Sequence, residues 1–151
     1  LTNAGIVGVV ALLSWAIGFE SFVKIQLPVT LIAGSLGVWL FYIQHQFENT
    51  YWRDEPEWDY REASLQGSSY YDLPKILNWF SGNIGVHHVH HLCSRIPNYR
   101  LHQCLEENDF LQNVTRLTIK DSLRCVNFKL WDEKTRQMVG FRKLREPQTT
   151  A

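Results

Sequence analysis

Cysteine is scarce in this sequence, and net charge is absent. The chain of 151 residues has three cysteines, an odd number without CxxC spacing, which argues against a disulfide framework or a zinc ribbon and indicates reduced thiols. Its 15 basic side chains balance its 15 acidic ones, so no long-range positive field favours nucleic acid as a partner. The sequence also has no internal repeat and no phosphate-binding glycine loop.

Charge is missing above all from the first part of the chain. Residues 1–43 contain only Glu20 and Lys24 as charged side chains, whereas 14 of the 15 Lys and Arg follow them. Residues 4–19 are a run of sixteen without a charge, and residues 25–43 are a run of nineteen. A helix that spans a bilayer needs about 20 mainly apolar residues, with a lower limit near 17. The second run is therefore the better candidate for a membrane span.

The first domain, 1–43, is predicted to be a pair of transmembrane helices, at about 3–19 and 25–45. The short link at 20–24 is expected outside. The second domain, 44–151, carries most of the Lys and Arg and is expected in the cytoplasm. Two buried helices of a soluble protein are the alternative.

The predicted fold class is mainly α and membrane-bound, a transmembrane helical hairpin followed by a cytosolic helical cap with a small β-hairpin near the carboxyl terminus. The acidic stretch 53–73 is predicted to be a connecting loop, and Gly82 and Gly85 indicate a helix break. The other predicted elements are a helix capped by Asp72 with Pro74 in its first turn, a short helix capped by Asn98 that runs through Leu101, Leu105 and Glu106, a helix ending near Cys125, a β-hairpin of 126–131 with 137–142, and a frayed end after Leu144.

Histidine is concentrated in one place, where four of the six lie within five consecutive positions. Because positions i, i+3 and i+4 share a helix face, His87, His90 and His91 are predicted to lie on one arc. Asn83 would lie one turn earlier on that face, and His88 at its flank. Neutral imidazoles bind zinc, copper, iron and nickel, so the cluster predicts part of a metal site. A solvated, histidine-rich helix face is the alternative.

His45 follows the second apolar run by two residues, so it is expected at the cytoplasmic surface of the membrane. On its own it is interpreted either as a lipid headgroup contact or as a further ligand. Its neighbours Gln44, Gln46 and Glu48 are candidates for hydrogen bonds that fix the imidazole tautomer.

Two segments together resemble the integral-membrane fatty acid desaturases. Residues 87–92 (HHVHHL), followed by 94–99 (SRIPNY), resemble the last histidine box of that family, H-x-x-H-H. Residues 42–52 (YIQHQFENTYW) resemble the end of its last transmembrane helix. The likeness is greatest to the acyl-lipid Δ12 (omega-6) branch of bacteria and cyanobacteria.

The resemblance implies a non-haem centre of two iron ions that is held by histidines. By position, His87, His90 and His91 match the third box, and His45 matches the additional histidine of the last membrane helix. Asn83 is implied as a possible water-mediated outer ligand, and no catalytic side chain is expected beyond the ligands. His88 occupies a variable position of the box. The sixth histidine, at 102, has no family counterpart and is interpreted as a packing or surface residue.

The implied activity is O2-dependent desaturation, which introduces a cis double bond, by resemblance at Δ12, into the acyl chains of membrane lipids. Ferredoxin is the implied electron donor, or cytochrome b5 as in eukaryotic relatives. The two other histidine boxes of the family are absent and are expected upstream of Leu1, so the chain is expected to be the carboxyl-terminal part of a longer protein. Alone, it is predicted to bind iron poorly and to be inactive.

Three alternatives stay open. A related di-iron lipid hydroxylase, acetylenase or carotenoid oxygenase would share the histidine boxes. A membrane electron carrier would bind haem between His45 and a histidine of 87–91. A noncatalytic membrane anchor would use the tail to bind partners.

Overall fold

The computed structural model describes residues 1–145, and the predicted fraying of the chain end concerns residues that lie almost entirely outside that range. The chain divides into two compact units, Leu1–Trp39 and a second one that begins at Leu40. Both are built mainly from helices, as predicted.

The first unit holds two apolar helices, α1 (Thr2–Ile17) and most of α2 (Phe19–His45). Helix α2 is long and apolar enough to cross a membrane, whereas α1 is shorter. The helices are separated by Gly18, whose φ of 84° is a conformation that glycine adopts without steric cost. The end of α2 at His45 agrees with the prediction.

The predicted link at 20–24 is wrong, because these residues form the first turns of α2. Lys24 Nζ lies 2.6 Å from Glu20 Oε1, one helical turn earlier. Charged pairs at this spacing support a helix, so the two charges that suggested a link belong to its exposed face. The antiparallel arrangement of α1 and α2 and their insertion into a bilayer stay predictions.

The stretch predicted as a loop also contains regular structure. Helix α3 (Tyr60–Gln66) begins where the carboxylate of Asp59 accepts a hydrogen bond of 2.8 Å from the Glu62 N–H. Such a cap stabilises a helix start by about 1 kcal/mol. The acidic composition of the stretch had suggested a loop instead of this helix. Strand β1 (Tyr70–Tyr71) follows and pairs in parallel with β2 (Arg116–Leu117).

Helices α4 (Lys75–Phe80) and α5 (His87–Leu92) flank the predicted break. Pro74 is the cap residue of α4 rather than part of its first turn, and Asp72 is not the cap. The Asp72 carboxylate accepts a hydrogen bond of 2.8 Å from Arg116 instead, because the pairing of β1 with β2 brings these two side chains together.

The remaining elements agree with the predicted pattern, with shorter strands in the hairpin. Helix α7 (Ile119–Cys125) begins at a capping box of Thr118 and Asp121. Asn98 does not cap a helix, because it begins a 3₁₀ turn. The elements are the 3₁₀ turn Asn98–Arg100, α6 (Leu101–Glu106), the 3₁₀ turn Asp109–Leu111, α7 (Ile119–Cys125), the antiparallel strands β3 (Leu130–Asp132) and β4 (Gln137–Val139), and the 3₁₀ turn Phe141–Arg145.

The core of the second unit lies against the helix that carries the histidines. Val89 of α5, at 1% exposure, packs in one apolar cluster with buried leucines of α6 and the following 3₁₀ turn. Burial of these side chains holds one face of α5 inward. Because this face of α5 is held inward, the direction of its opposite face is fixed as well. The cluster is Val86, Val89, Leu101, Leu105 and Leu111.

Candidate metal centre

Three histidines from two helices meet in the second unit. His87 and His91 lie at positions i and i+4 of α5, so their side chains share a face. His45 is the last residue of α2. Their potential ligand nitrogens all lie within 4.8 Å of one another, so residues 46 positions apart in the chain form one cluster.

The spacing of the nitrogens is that of ligands around one cation. His91 Nε2 lies 3.0 Å from His45 Nε2 and 3.1 Å from His87 Nε2. Two nitrogens that each bind a metal at about 2.1 Å, at right angles to one another, are separated by ~3.0 Å. A proton on His91 Nε2 would satisfy only one of the two contacts, whereas a cation between the rings would use all three lone pairs. The residues therefore fit a metal ion.

The orientation of His45 is fixed by its own helix. Its Nδ1 donates a hydrogen bond of 2.7 Å to the carbonyl oxygen of Phe41. With the proton on Nδ1, the lone pair of Nε2 points toward the cluster. This is the usual way in which a hydrogen bond at one ring nitrogen prepares the other for a metal.

Burial favours the neutral form of His87 and His91 in α5. Burial, followed by repulsion from His45 and the other histidines of the cluster, lowers the pKa of His87 to about 3. Burial, followed by His45 and then His90, also lowers the pKa of His91. The neutral imidazole is the form that binds metal, so these rings are ready to act as ligands at neutral pH.

His90 and Asn83 lie outside the group of three converging nitrogens. The His90 ring stacks on that of His87, with 5.7 Å between the centroids. Asn83 is not on the α5 face, because the helix begins only at His87 and Asn83 lies in the preceding turn with a φ of 57°. Its Nδ2 donates to the Asn98 carbonyl oxygen at 3.1 Å. The predicted position of Asn83 on the histidine face is therefore wrong, whereas the predicted break at Gly82 and Gly85 is confirmed.

The two other histidines face different surroundings. His88 is fully buried, and its Nε2 donates to the Leu111 carbonyl oxygen at 3.0 Å. Burial lowers the pKa of His88 to about 4. The half-buried His102 ring lies 6.3 Å from the ring of Tyr70, edge to face. The contacts of His88 and His102 are therefore those of packing residues.

Two supporting contacts were not predicted. The Tyr60 hydroxyl of α3 lies 2.9 Å from the carbonyl oxygen of His91 and 3.0 Å from that of Leu92, at the end of α5. The Gln44 side chain, which was expected near the His45 ring, donates to the Ile84 carbonyl oxygen. Both contacts join distant parts of the chain, and no local pattern indicates them.

The fold and the cluster together describe a protein with a helix long and apolar enough to cross a membrane, which ends at a cluster of three histidines. Comparison with known proteins identifies the family. The family model for fatty acid desaturases matches residues 1–114. The chain belongs to the fatty acid desaturase family.

Individual relatives agree with this assignment. A fatty acid desaturase of Bacillus subtilis (strain 168) is 48% identical over 145 residues, which are 96% of this chain and 41% of the relative. The sn-1 oleoyl-lipid 12-desaturase of Synechocystis is 31% identical over 94 residues, 60% of this chain and 27% of the relative. A chloroplastic omega-6 fatty acid desaturase of Glycine max is 40% identical over 55 residues, 34% of this chain and 13% of the relative.

The chain thus spans less than half the length of the curated relatives it matches. No solved structure matches it. The three-histidine cluster lies within the part of the chain that the family model matches.

Proposed function

We propose that this chain is the carboxyl-terminal part of a di-iron, O2-dependent acyl-lipid desaturase that introduces a cis double bond at Δ12. The observation that carries the proposal is the meeting of His45, His87 and His91 at ligand spacing in a member of this family. The Δ12 position rests on the likeness to relatives named as omega-6 and 12-desaturases.

In the proposed centre, His45, His87, His90 and His91 hold iron. His90 lies beside the converging group, where it suits a second ion. Asn83 is proposed as an outer ligand acting through water. The other ligands come from a part of the protein beyond this chain, so the chain alone is expected to bind iron weakly and to be inactive.

When bound, the two irons would supply the activation of O2 that removal of hydrogen from an unactivated methylene requires. The side chains contribute positioning. The Phe41 carbonyl holds the His45 ring, burial keeps His87 neutral, and the packing of α5 on the core fixes the helix that carries His87 and His91. Precise placement matters because an error of about 1 Å can cost 10²-fold in rate.

The proposed substrate is the acyl chain of a membrane lipid. Helix α2 is long enough to cross the membrane and ends at His45, so a metal at its end would lie at the membrane surface, in reach of both lipid and a soluble electron donor. Ferredoxin, or cytochrome b5, is proposed as that donor, and the residues from 44 onward are proposed to be cytoplasmic.

The test is to express the complete gene in a host rich in oleate and to profile its fatty acids. We expect a diunsaturated product with the new cis bond at Δ12, and none from the matched His91→Ala variant. An unchanged profile in both, with the protein present in the membrane, would contradict the proposal. Hydroxylated or acetylenic acids would indicate a sibling activity, and a Soret band in the purified protein would indicate a haem carrier.

A further inference from the structure

Gln44 is a buried polar residue next to a proposed ligand, yet its side chain contacts a different part of the chain. It is 1% exposed and directly precedes His45. Its Nε2 donates a hydrogen bond of 2.7 Å to the carbonyl oxygen of Ile84. Ile84 lies in the turn that leads into His87, the first residue of α5. The side chain therefore joins the end of α2 to the start of the histidine helix.

The same two segments are joined by a second route. The Ser69 N–H donates to the Gln44 carbonyl oxygen at 2.9 Å, and the Tyr71 N–H donates to the Gly85 carbonyl oxygen at 2.8 Å. Together with the bond from Gln44 to Ile84, these contacts close a ring through the short strand β1. A closed ring of hydrogen bonds resists displacement of any one member more than a single bond would.

We propose that Gln44 is a positioning residue that sets the separation between His45 and the α5 pair His87 and His91. The inference rests on the proposed function, in which these histidines hold iron. The Phe41 carbonyl fixes how the His45 ring is turned, whereas Gln44 fixes where the end of α2 lies relative to α5. The 3.0 Å distance from His45 Nε2 to His91 Nε2 depends on both.

The chain offers a matched control on the other side of the ligand. Gln46 follows His45, is half-buried, and makes no side-chain hydrogen bond within residues 1–145. Gln44→Met and Gln46→Met each exchange the same amide for a thioether of similar length. Only the first leaves the Ile84 carbonyl without its side-chain donor, so only the first is expected to shift the ligands.

The experiment uses the protein expressed from its complete gene, purified and freed of metal, and cobalt(II) as the probe. We expect Gln44→Met to bind cobalt about 10- to 100-fold more weakly, the range found when residues that orient ligands are changed, and with an altered visible spectrum. Gln46→Met is expected to match the wild type in both measurements.

Two results would overturn the inference. A folded Gln44→Met protein with wild-type affinity and spectrum, even at a lower melting temperature, would show that the residue serves stability only. Equal cobalt binding by the wild type, His45→Ala and His91→Ala would remove the metal site, and the inference with it. If Gln44→Met does not fold, the same two measurements on Gln44→Glu, which keeps the length and lacks the amide donor, decide the matter.

Discussion

The Tyr60 hydroxyl lies 2.9 Å from the carbonyl oxygen of His91 and ties helix α3 to the end of the histidine helix. Carbonyls in the last turn of a helix have no partner within it, so this contact supplies one from outside. It holds the backbone of a proposed ligand without touching the imidazole.

We expect Tyr60→Phe to lower the free energy of unfolding by about 1 kcal/mol, the net value of one such hydrogen bond, and to leave the metal content of the folded protein largely intact. Thermal unfolding and iron analysis of the complete protein measure the two effects. Tyr99→Phe is the control, because Tyr99 is 72% exposed and its hydroxyl makes no hydrogen bond within the described residues. Equal stability of the two variants would contradict this role of Tyr60.

Replacement of the converging histidines tests the metal centre directly. We expect His45→Ala, His87→Ala and His91→Ala, each in the complete protein, to lower iron content more than about tenfold, since the loss of even an outer partner can cost that much affinity. His90→Ala is expected to remove one of the two proposed ions. Elemental analysis of the purified protein gives both values.

His102→Ala is the matched control for these variants, since His102 packs beside Tyr70 and away from the converging nitrogens. It is expected to keep the iron content of the wild type. Full iron content in all three variants of the converging group would show that their convergence has no role in metal binding.

A pH dependence of stability is expected from His88. Burial lowers its pKa to about 4 in the folded chain, from an ordinary value of 6.5. Between these values the unfolded chain binds the additional proton, so stability is complete above pH 6.5 and falls as the pH drops toward 4. The upper limit of the loss is about 3 kcal/mol.

The matched variant is His88→Gln, whose amide can donate to the Leu111 carbonyl and does not titrate. We expect it to fold at pH 7.5 and to lose less stability than the wild type between pH 6.5 and 5, as measured by thermal unfolding of the metal-free protein. Parallel curves for the two proteins would contradict the assignment of this effect to His88.

The sequence predicts only the part of the site that follows from helix geometry within one segment. The i, i+4 spacing places His87 and His91 on one face wherever the segment is helical, and the structure has that helix. The approach of His45 to them depends on contacts between distant segments, and only the resemblance to a known family indicated it. Asn83 was misplaced on the histidine face because it lies in a turn with positive φ, a conformation that asparagine tolerates.

The fold likewise contains elements that neighbouring residues predict and elements that they do not. The hairpin of β3 and β4 was predicted because turn residues and strand residues are neighbours in sequence. The link at 20–24 and the loop at 53–73 were misjudged because each was inferred from the composition of the stretch. A specific contact supports the observed helix in each case, the Glu20–Lys24 pair in the first and the Asp59 cap in the second.

Gly85 is predicted to be essential to the approach of α5 to strand β1. A Cβ at this position would collide with the carbonyl oxygen of Tyr71 and lie 3.1 Å from Asn78 Oδ1. Because the Tyr71 N–H donates to the Gly85 carbonyl, the strand cannot withdraw without losing that bond. We expect Gly85→Ala to cost about 1–3 kcal/mol, the range for added methyl groups in packed sites, and to move His87.

Gly140→Ala is the control that separates the loss of stability from the displacement of His87. Its Cβ would also meet a backbone oxygen, that of Asn127 at 2.9 Å, but in the hairpin region rather than beside the histidines. Both variants are therefore expected to melt at lower temperature, and only Gly85→Ala to bind cobalt more weakly per folded molecule. Equal cobalt affinity in the two variants would contradict this prediction. It would mean that the loop through Gly85 can shift without moving the ligands, because the core contacts of Val89 are sufficient to hold α5 in place.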